Sequence, residues 1–192
     1  MMATAQTQAK EQISPKATAG FATRQLAARH EEPAWLAKLR GQAWELYQET
    51  PLPDRVNHLW RYSDPAAFVR PEGELLSETG EDAGSVREMR SIFDDADHSG
   101  EAICHNGRLS YAHLDPELEG RGVILGDLHT AARRHAGLVD PYLGRIVGAG
   151  HGKFEALNEA LWQGGLFVYV PRNVTIEKPV HLLVTARNGL PF

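Results

Sequence analysis

The sequence predicts an α+β protein, an N-terminal helical unit followed by the start of a parallel β-helix. Three observations carry this expectation. Residues 153–184 read as a helix, a short apolar strand, a polar corner bounded by prolines, and a second short apolar strand. Trp35, Leu36, Leu39, Ala43, Leu46 and Tyr47 recur at helical spacing. Asn106-Gly107 stands between two apolar runs and signals a tight hairpin, because both residue types accept positive φ.

Residues 1–17 are polar and read as a disordered tail. Residues 18–70 form the helical unit. Thr18–His30 is its first helix, with Phe21, Ala22, Leu26 and Ala27 or Ala28 inward. Pro33 opens a second helix, since a proline in the first turn forgoes an N–H that would go unused. Arg40, Gln42 and Glu45 fall off its apolar face, and Pro51 and Pro53 stop it. Residues 71–101 are a break in composition. Ten acidic residues against Arg87 and Arg90 predict a solvated acidic connector with one helical turn around 86–93.

Residues 102–152 hold the hairpin strands Ala102–Cys104 and Leu109–Tyr111, then a strand over Gly122–Leu125. Asp127 or Thr130 caps a helix toward Arg134, and Asp140-Pro141 begins another. Residues 153–192 supply the helix bearing Phe154, Leu157 and Leu161, ended by Gly164-Gly165. Strand Leu166–Val170 follows, closed by Pro171. The corner continues through Val174-Thr175-Ile176 and Glu177-Lys178-Pro179 into strand Val180–Val184. Each strand matches one face of a coil and is followed at once by a corner, which is the β-helix rhythm. A single rung leaves its stacking face open. The expectation is therefore the N-terminal part of a longer protein, or a truncated one, that self-associates through that face.

Composition bounds function. Net charge is −5, which gives no global support to nucleic-acid or anionic-membrane binding. One cysteine rules out an intramolecular disulfide framework and fits a reducing compartment. The N-terminus has no apolar signal region, and no apolar run approaches the roughly 20 residues of a membrane helix. The expected location is the cytoplasm.

Candidate chemical motifs are weak. Asp95, Asp97 and Ser99 with Gly100 resemble the start of a calcium loop, but the twelfth position, normally Glu, is Asn106. Gly148-Ala149-Gly150-His151-Gly152-Lys153 lacks the first glycine and the hydroxyl of a phosphate loop, which leaves a flexible connector. The nine histidines include no His-Glu-x-x-His pair. His129 and His135 read as a solvated helical face, and His105 and His113 flank the hairpin. Cys104 reads as a buried structural thiol, and one thiolate cannot supply an all-cysteine cluster. Trp60-Arg61-Tyr62 reads either as aromatic packing or as a recognition patch. No catalytic, cofactor-binding or metal-ligating residue is assigned.

Phe154, Leu157-Asn158, Ala160, Gly165, Val170-Pro171 and Pro179 stand in the order of a known family. So do Pro33-Ala34-Trp35-Leu36, Arg40, Ala43, Pro51-Leu52-Pro53 and Trp60-Arg61-Tyr62-Ser63-Asp64 upstream. Together they resemble the SufB/SufD family of Suf iron–sulfur cluster assembly scaffolds, most closely its SufD members. The resemblance implies a right-handed β-helix and a non-catalytic scaffold subunit. It further implies a SufB-like scaffold partner, and a SufC-like ATPase that uses the ATP while the cluster is built on the complex. The chemically implicated family residues lie beyond this chain, so none is carried over. The alternative readings are a β-helix polysaccharide-active enzyme and a purely structural interaction module.

Overall fold

The structure is a computed structural model, and it describes residues 32–54, 56, 58–69, 83–93, 97–105 and 107–185. The expected tail and the expected helix Thr18–His30 lie outside the described residues. Helix α1 spans Ala34–Glu49. Pro33 stands one position before it, and its carbonyl accepts from Leu36 N and Ala37 N. Pro51 and Pro53 follow the helix, as expected. Short 3₁₀ turns at His58–Trp60 and Pro65–Phe68 come next. Helix α2, Ala83–Arg90, runs into a 3₁₀ turn at Ser91–Phe93. The acidic stretch therefore holds a full short helix where one turn was expected, and its last two residues already belong to a strand.

That strand is β1, Gly100–His105, and β2 is Arg108–Leu114. They pair antiparallel, with His105 opposite Arg108 and Gly107 at φ +77°, which is the expected two-residue hairpin. The register shifts between Ile103 (opposite Tyr111) and Cys104 (opposite Leu109), so Ser110 is a bulge. Asp115 and Pro116 start the short helix α3, Pro116–Gly120, with the Asp115 carboxylate accepting from Glu117 N. Strand β3 covers Ile124–Asp127, two residues later than expected. Asp127 then caps α4, Leu128–Arg134, by accepting from Thr130 N.

Helix α5 is Ala136–Val139. The helix expected to begin at Asp140-Pro141 instead ends there. The N–H groups of Tyr142 and Leu143 fold back onto Val139 O in a turn. A 3₁₀ turn at Ala149–His151 precedes α6, Lys153–Leu161, and strands β4, Leu166–Tyr169, and β5, Val180–Thr185, complete the described chain.

Two sheets result. One has the order β2-β1-β5, and β5 runs parallel to β1 from Gly100 opposite Val180 to His105 opposite Thr185. The other is the antiparallel pair β3-β4, from Ile124 opposite Tyr169 to Asp127 opposite Leu166. The consecutive strands β4 and β5 thus lie in different sheets. The corner between them turns at Asn173, φ +65°, a left-handed conformation that asparagine tolerates better than most residues.

Helices α1 and α6 pack together around Ala43, Trp44, Ala149, Ala156, Ala160 and Leu161. Alanines at this seam let the two helices approach closely. The buried face of α1 is Leu36, Arg40, Ala43 and Trp44. It is therefore rotated from the expected one. Trp44 is inside, Leu46 is outside, and Trp35, Leu39 and Tyr47 are only half-buried. Likewise α6 buries Ala156 and Ala160 fully, and leaves Phe154 and Leu157 half-buried. A second cluster joins Leu36 to Ala131, Ala132 and Val139, with Trp35, Leu39, Leu143 and Trp162 around it. A third joins Leu114, Leu118 and Val123 to Leu125 and to the corner residues Val174 and Ile176.

Gly164 does not end α6, which stops at Leu161. A Cβ there would lie 2.8 Å from the carbonyl oxygen of Gly107. The glycine is needed for close approach to the hairpin tip.

Candidate functional site

Strand order places β4 and β5 at the edges of their sheets among the described residues. Leu182 and Val184 stand in register beside Ala102 and Cys104, so the four side chains share one sheet face. Ala102 and Cys104 are buried, whereas Leu182 is 48% and Val184 64% exposed. Val168 and Val170 are exposed as well. An apolar sheet face therefore begins covered on β1 and runs open on β5. The VHLLVT sequence of β5 carries no formal charge and no proline, the usual means of blunting an edge. An edge strand with exposed apolar side chains beside it can accept a further strand by ordinary sheet pairing.

The opposite face of the same sheet carries polar groups, Glu101, His181, His105 and Thr185, around Ile103 and Leu183. Glu101 pairs laterally with His113 on β2 and His181 on β5. Its buried carboxylate accepts from Arg90 Nε at 3.3 Å and Arg90 Nη2 at 3.2 Å, and His98 Nε2 lies 3.8 Å from its other oxygen. The Arg90 guanidinium sits 4.1 Å above the Tyr111 ring, and the His98 and His181 rings meet edge-on at 5.5 Å. Burial, then the neighbouring Glu101, pushes the Tyr111 phenol up. Further along, His105 Nδ1 is 2.8 Å from Thr185 Oγ1, which donates to Met89 Sδ at 3.4 Å. This set ties α2 and β5 to β1. Among the described residues, no group of three or more His, Cys, Asp or Glu is arranged to hold a metal ion.

A buried ionic seam joins the helices. Arg40 Nε donates to Glu32 at 3.0 Å and Nη1 donates to the Ala160 carbonyl at 3.0 Å. The guanidinium stacks 4.1 Å from the Trp162 ring. Glu32 also faces His129 Nε2 at 3.4 Å, and His129 meets the Trp162 ring edge-on. The expected placements of Arg40 off the buried face and of His129 on a solvated face are both overturned. A guanidinium can cross an apolar seam when its donors find acceptors and its plane finds a ring.

Lys153 is the other displaced cation. Its ammonium donates to Tyr47 O and Thr50 O, each at 2.7 Å, and lies 4.3 Å from the Tyr47 ring. It thus serves the carbonyls at the C-terminus of α1, where a cation is favoured. Burial pulls its pKa down. The expected flexible connector before it is an ordered turn, held by Gly148 N donating to His151 Nδ1 and Ala149 N donating to the buried Glu159 carboxylate.

Cys104 is buried, as expected, and burial followed by the charge of Asp127 pushes its thiol up. Trp60 packs against Phe68 and Phe154, with centroids at 5.8 and 5.1 Å, whereas Tyr62 is 90% exposed. The aromatic triplet divides between the two readings. The first residue of the calcium-like loop, Asp95, lies outside the described residues. Asp97, inside them, bonds Lys178 at 2.8 Å. No described helix is long and apolar enough to cross a membrane.

The sequence profile described as the SufBD protein N-terminal region matches residues 16–182. An iron–sulfur cluster assembly SufBD family protein of Staphylococcus haemolyticus is 29% identical over 167 residues, 82% of this chain and 35% of that protein. One from Staphylococcus epidermidis is 30% identical over 160 residues, 78% of this chain and 34% of that protein. One from Staphylococcus aureus is 27% identical over 167 residues. The chain spans about a third of the length of these relatives.

Proposed function

The chain belongs to the SufBD family, and on that premise we propose that it is the N-terminal part of a non-catalytic, SufD-like scaffold subunit in cytoplasmic iron–sulfur cluster assembly. The family's relatives carry iron–sulfur cluster assembly in their names. The observation that supports the scaffold reading most directly is the parallel pairing of β5 with β1, together with the placement of β4 and β5 at the edges of two sheets. Consecutive strands in different sheets, each at an edge among the described residues, fit the beginning of a coil. The next coil of a right-handed β-helix would pair with both edges and cover Leu182 and Val184.

In this reading the described residues supply a rigid platform and no chemistry. Arg40 and Lys153 fasten α1 to α6, and Glu101 fastens α2 to the sheet. The partners are a SufB-like scaffold subunit and a SufC-like ATPase, and the nucleotide belongs to the ATPase. The cluster is cargo of the complex. Cys104, buried and held as a neutral thiol, is a poor ligand for it.

The test is affinity purification of the tagged protein from its own cells, paired with its depletion. A second SufBD subunit and an ATPase should copurify, and iron–sulfur enzyme activities should fall on depletion. Purification without either partner, combined with unchanged iron–sulfur enzyme activities, would refute the assignment.

A further inference from the structure

Among the described residues, Lys153 is a partly buried cation without a carboxylate. A lysine ammonium has three donors. Two of them go to Tyr47 O and Thr50 O at 2.7 Å, and the Tyr47 ring lies 4.3 Å away. Burial alone lowers its pKa, and no described carboxylate acts on it. The carbonyl end of α1 supplies only roughly half a negative charge. The ammonium therefore keeps an attractive field and a donor for a further acceptor.

Beside it is an apolar hollow of about 270 Å³, mouth included. Tyr47, Leu52, Phe68, Phe154 and Leu157 wall it together with Lys153. The walls are held in place. The Phe68 and Phe154 rings meet edge-on at 6.1 Å, and Trp60 packs against both. Tyr47 and Leu157 pack against the α1–α6 seam. Leu52 and Phe68 remain 40% and 57% exposed, so apolar surface reaches the mouth. A preformed apolar hollow with one polar anchor is the usual form of a small-molecule site, and such sites begin at roughly 300 Å³. A hollow just under that size selects a body of one ring or a short aliphatic chain.

The anchor selects the head group. One cation matches one negative charge. A phosphate calls for more donors, and the first turn of α6 does not offer them, because Glu155 Oε2 already lies against Gly152. We propose that this hollow binds a small monocarboxylate, its carboxylate on the Lys153 ammonium and its apolar body between Leu52, Phe68 and Phe154. The charged hydrogen bond sets orientation, and the ring walls supply contact area. The site is additional to the scaffold role and does not depend on it.

The test titrates the full-length protein with para-fluorobenzoate and with para-fluorobenzamide, its uncharged counterpart, followed by fluorine NMR. The benzoate should bind about tenfold more tightly, as for a hydrogen bond to a charged group. Phe68→Ala should weaken benzoate binding severalfold while the protein stays folded, because that ring is more than half exposed. Lys153→Met should abolish the preference for the charged probe. Equal binding of the two probes, no binding at millimolar concentration, or a benzoate affinity indifferent to Phe68→Ala would overturn the proposal. So would a folded Lys153→Met protein that keeps the preference. If Lys153→Met does not fold, the two probes and Phe68→Ala decide the outcome with Lys153 in place.

Discussion

At the residue scale, the decisive features are charged groups inside apolar seams. Arg40 and Glu32 have side-chain exposures of 1% and 3%. Truncating one partner leaves a buried uncompensated charge, which costs about 3–5 kcal/mol. Arg40→Met should therefore lower stability by that order in chemical denaturation. The double variant Arg40→Met/Glu32→Gln should recover much of the loss. If the double variant is no better than the single one, the pair is not the source of the cost. Cys104 gives a second prediction. Burial raises its folded pKa above the ordinary value of 9.0. Between that value and the folded pKa, the unfolded thiol has lost its proton while the folded one keeps it. Its contribution to stability is thus complete below pH 9.0 and is lost as pH rises through the folded pKa. Cys104→Ser should lack this part of the alkaline slope in a denaturation series. Wild-type thiol should react with alkylating agents at the rate of unfolding.

At the element scale, helix phase sets the energetics. Leu36 is fully buried, so Leu36→Ala should cost about 2–5 kcal/mol. Leu39, expected to share that core, is half-buried, so Leu39→Ala should cost clearly less. Equal losses in urea titrations would mean that α1 is rotated back toward the phase read from its sequence. The phase differs because α1 meets α6 through alanines. Ala156 and Ala160 are both fully buried, and close helix approach draws in whatever lies on that line, Arg40 included. Ala160→Leu should accordingly cost about 1–3 kcal/mol by overpacking, read in the same titrations.

At the scale of the whole molecule, the position of β4 and β5 at the sheet edges among the described residues governs behaviour in solution. The chain of residues 1–192 should associate as its concentration rises, detected by sedimentation velocity, because an uncharged edge beside exposed Leu182 and Val184 invites pairing. Leu182→Lys should shift it toward monomer, since a charge on the edge opposes pairing. A monomer at every concentration, with β5 amides protected from hydrogen exchange, would mean that the edge is covered from within.

Local chemistry determined much of this protein from sequence. The Asn106-Gly107 hairpin, a helix cap at Asp127 or Thr130, the strands before and after the Asn173 corner, and the buried Cys104 follow from backbone preferences and apolar runs. These are short-range effects, and a sequence displays them directly. The order of matching residues also pointed to the family. Tertiary structure alone decided which faces were covered. Apolar periodicity reports the average direction of a helix face, whereas the α1–α6 seam depends on side-chain size and on acceptors far along the chain. Arg40 meets Ala160 O across 120 residues, and Lys153 meets Tyr47 O across 106. Likewise, the pairing of β5 with β1 joins strands about 80 residues apart. Nothing local to either strand specifies that pairing, because the interactions that select it form only after the chain has closed.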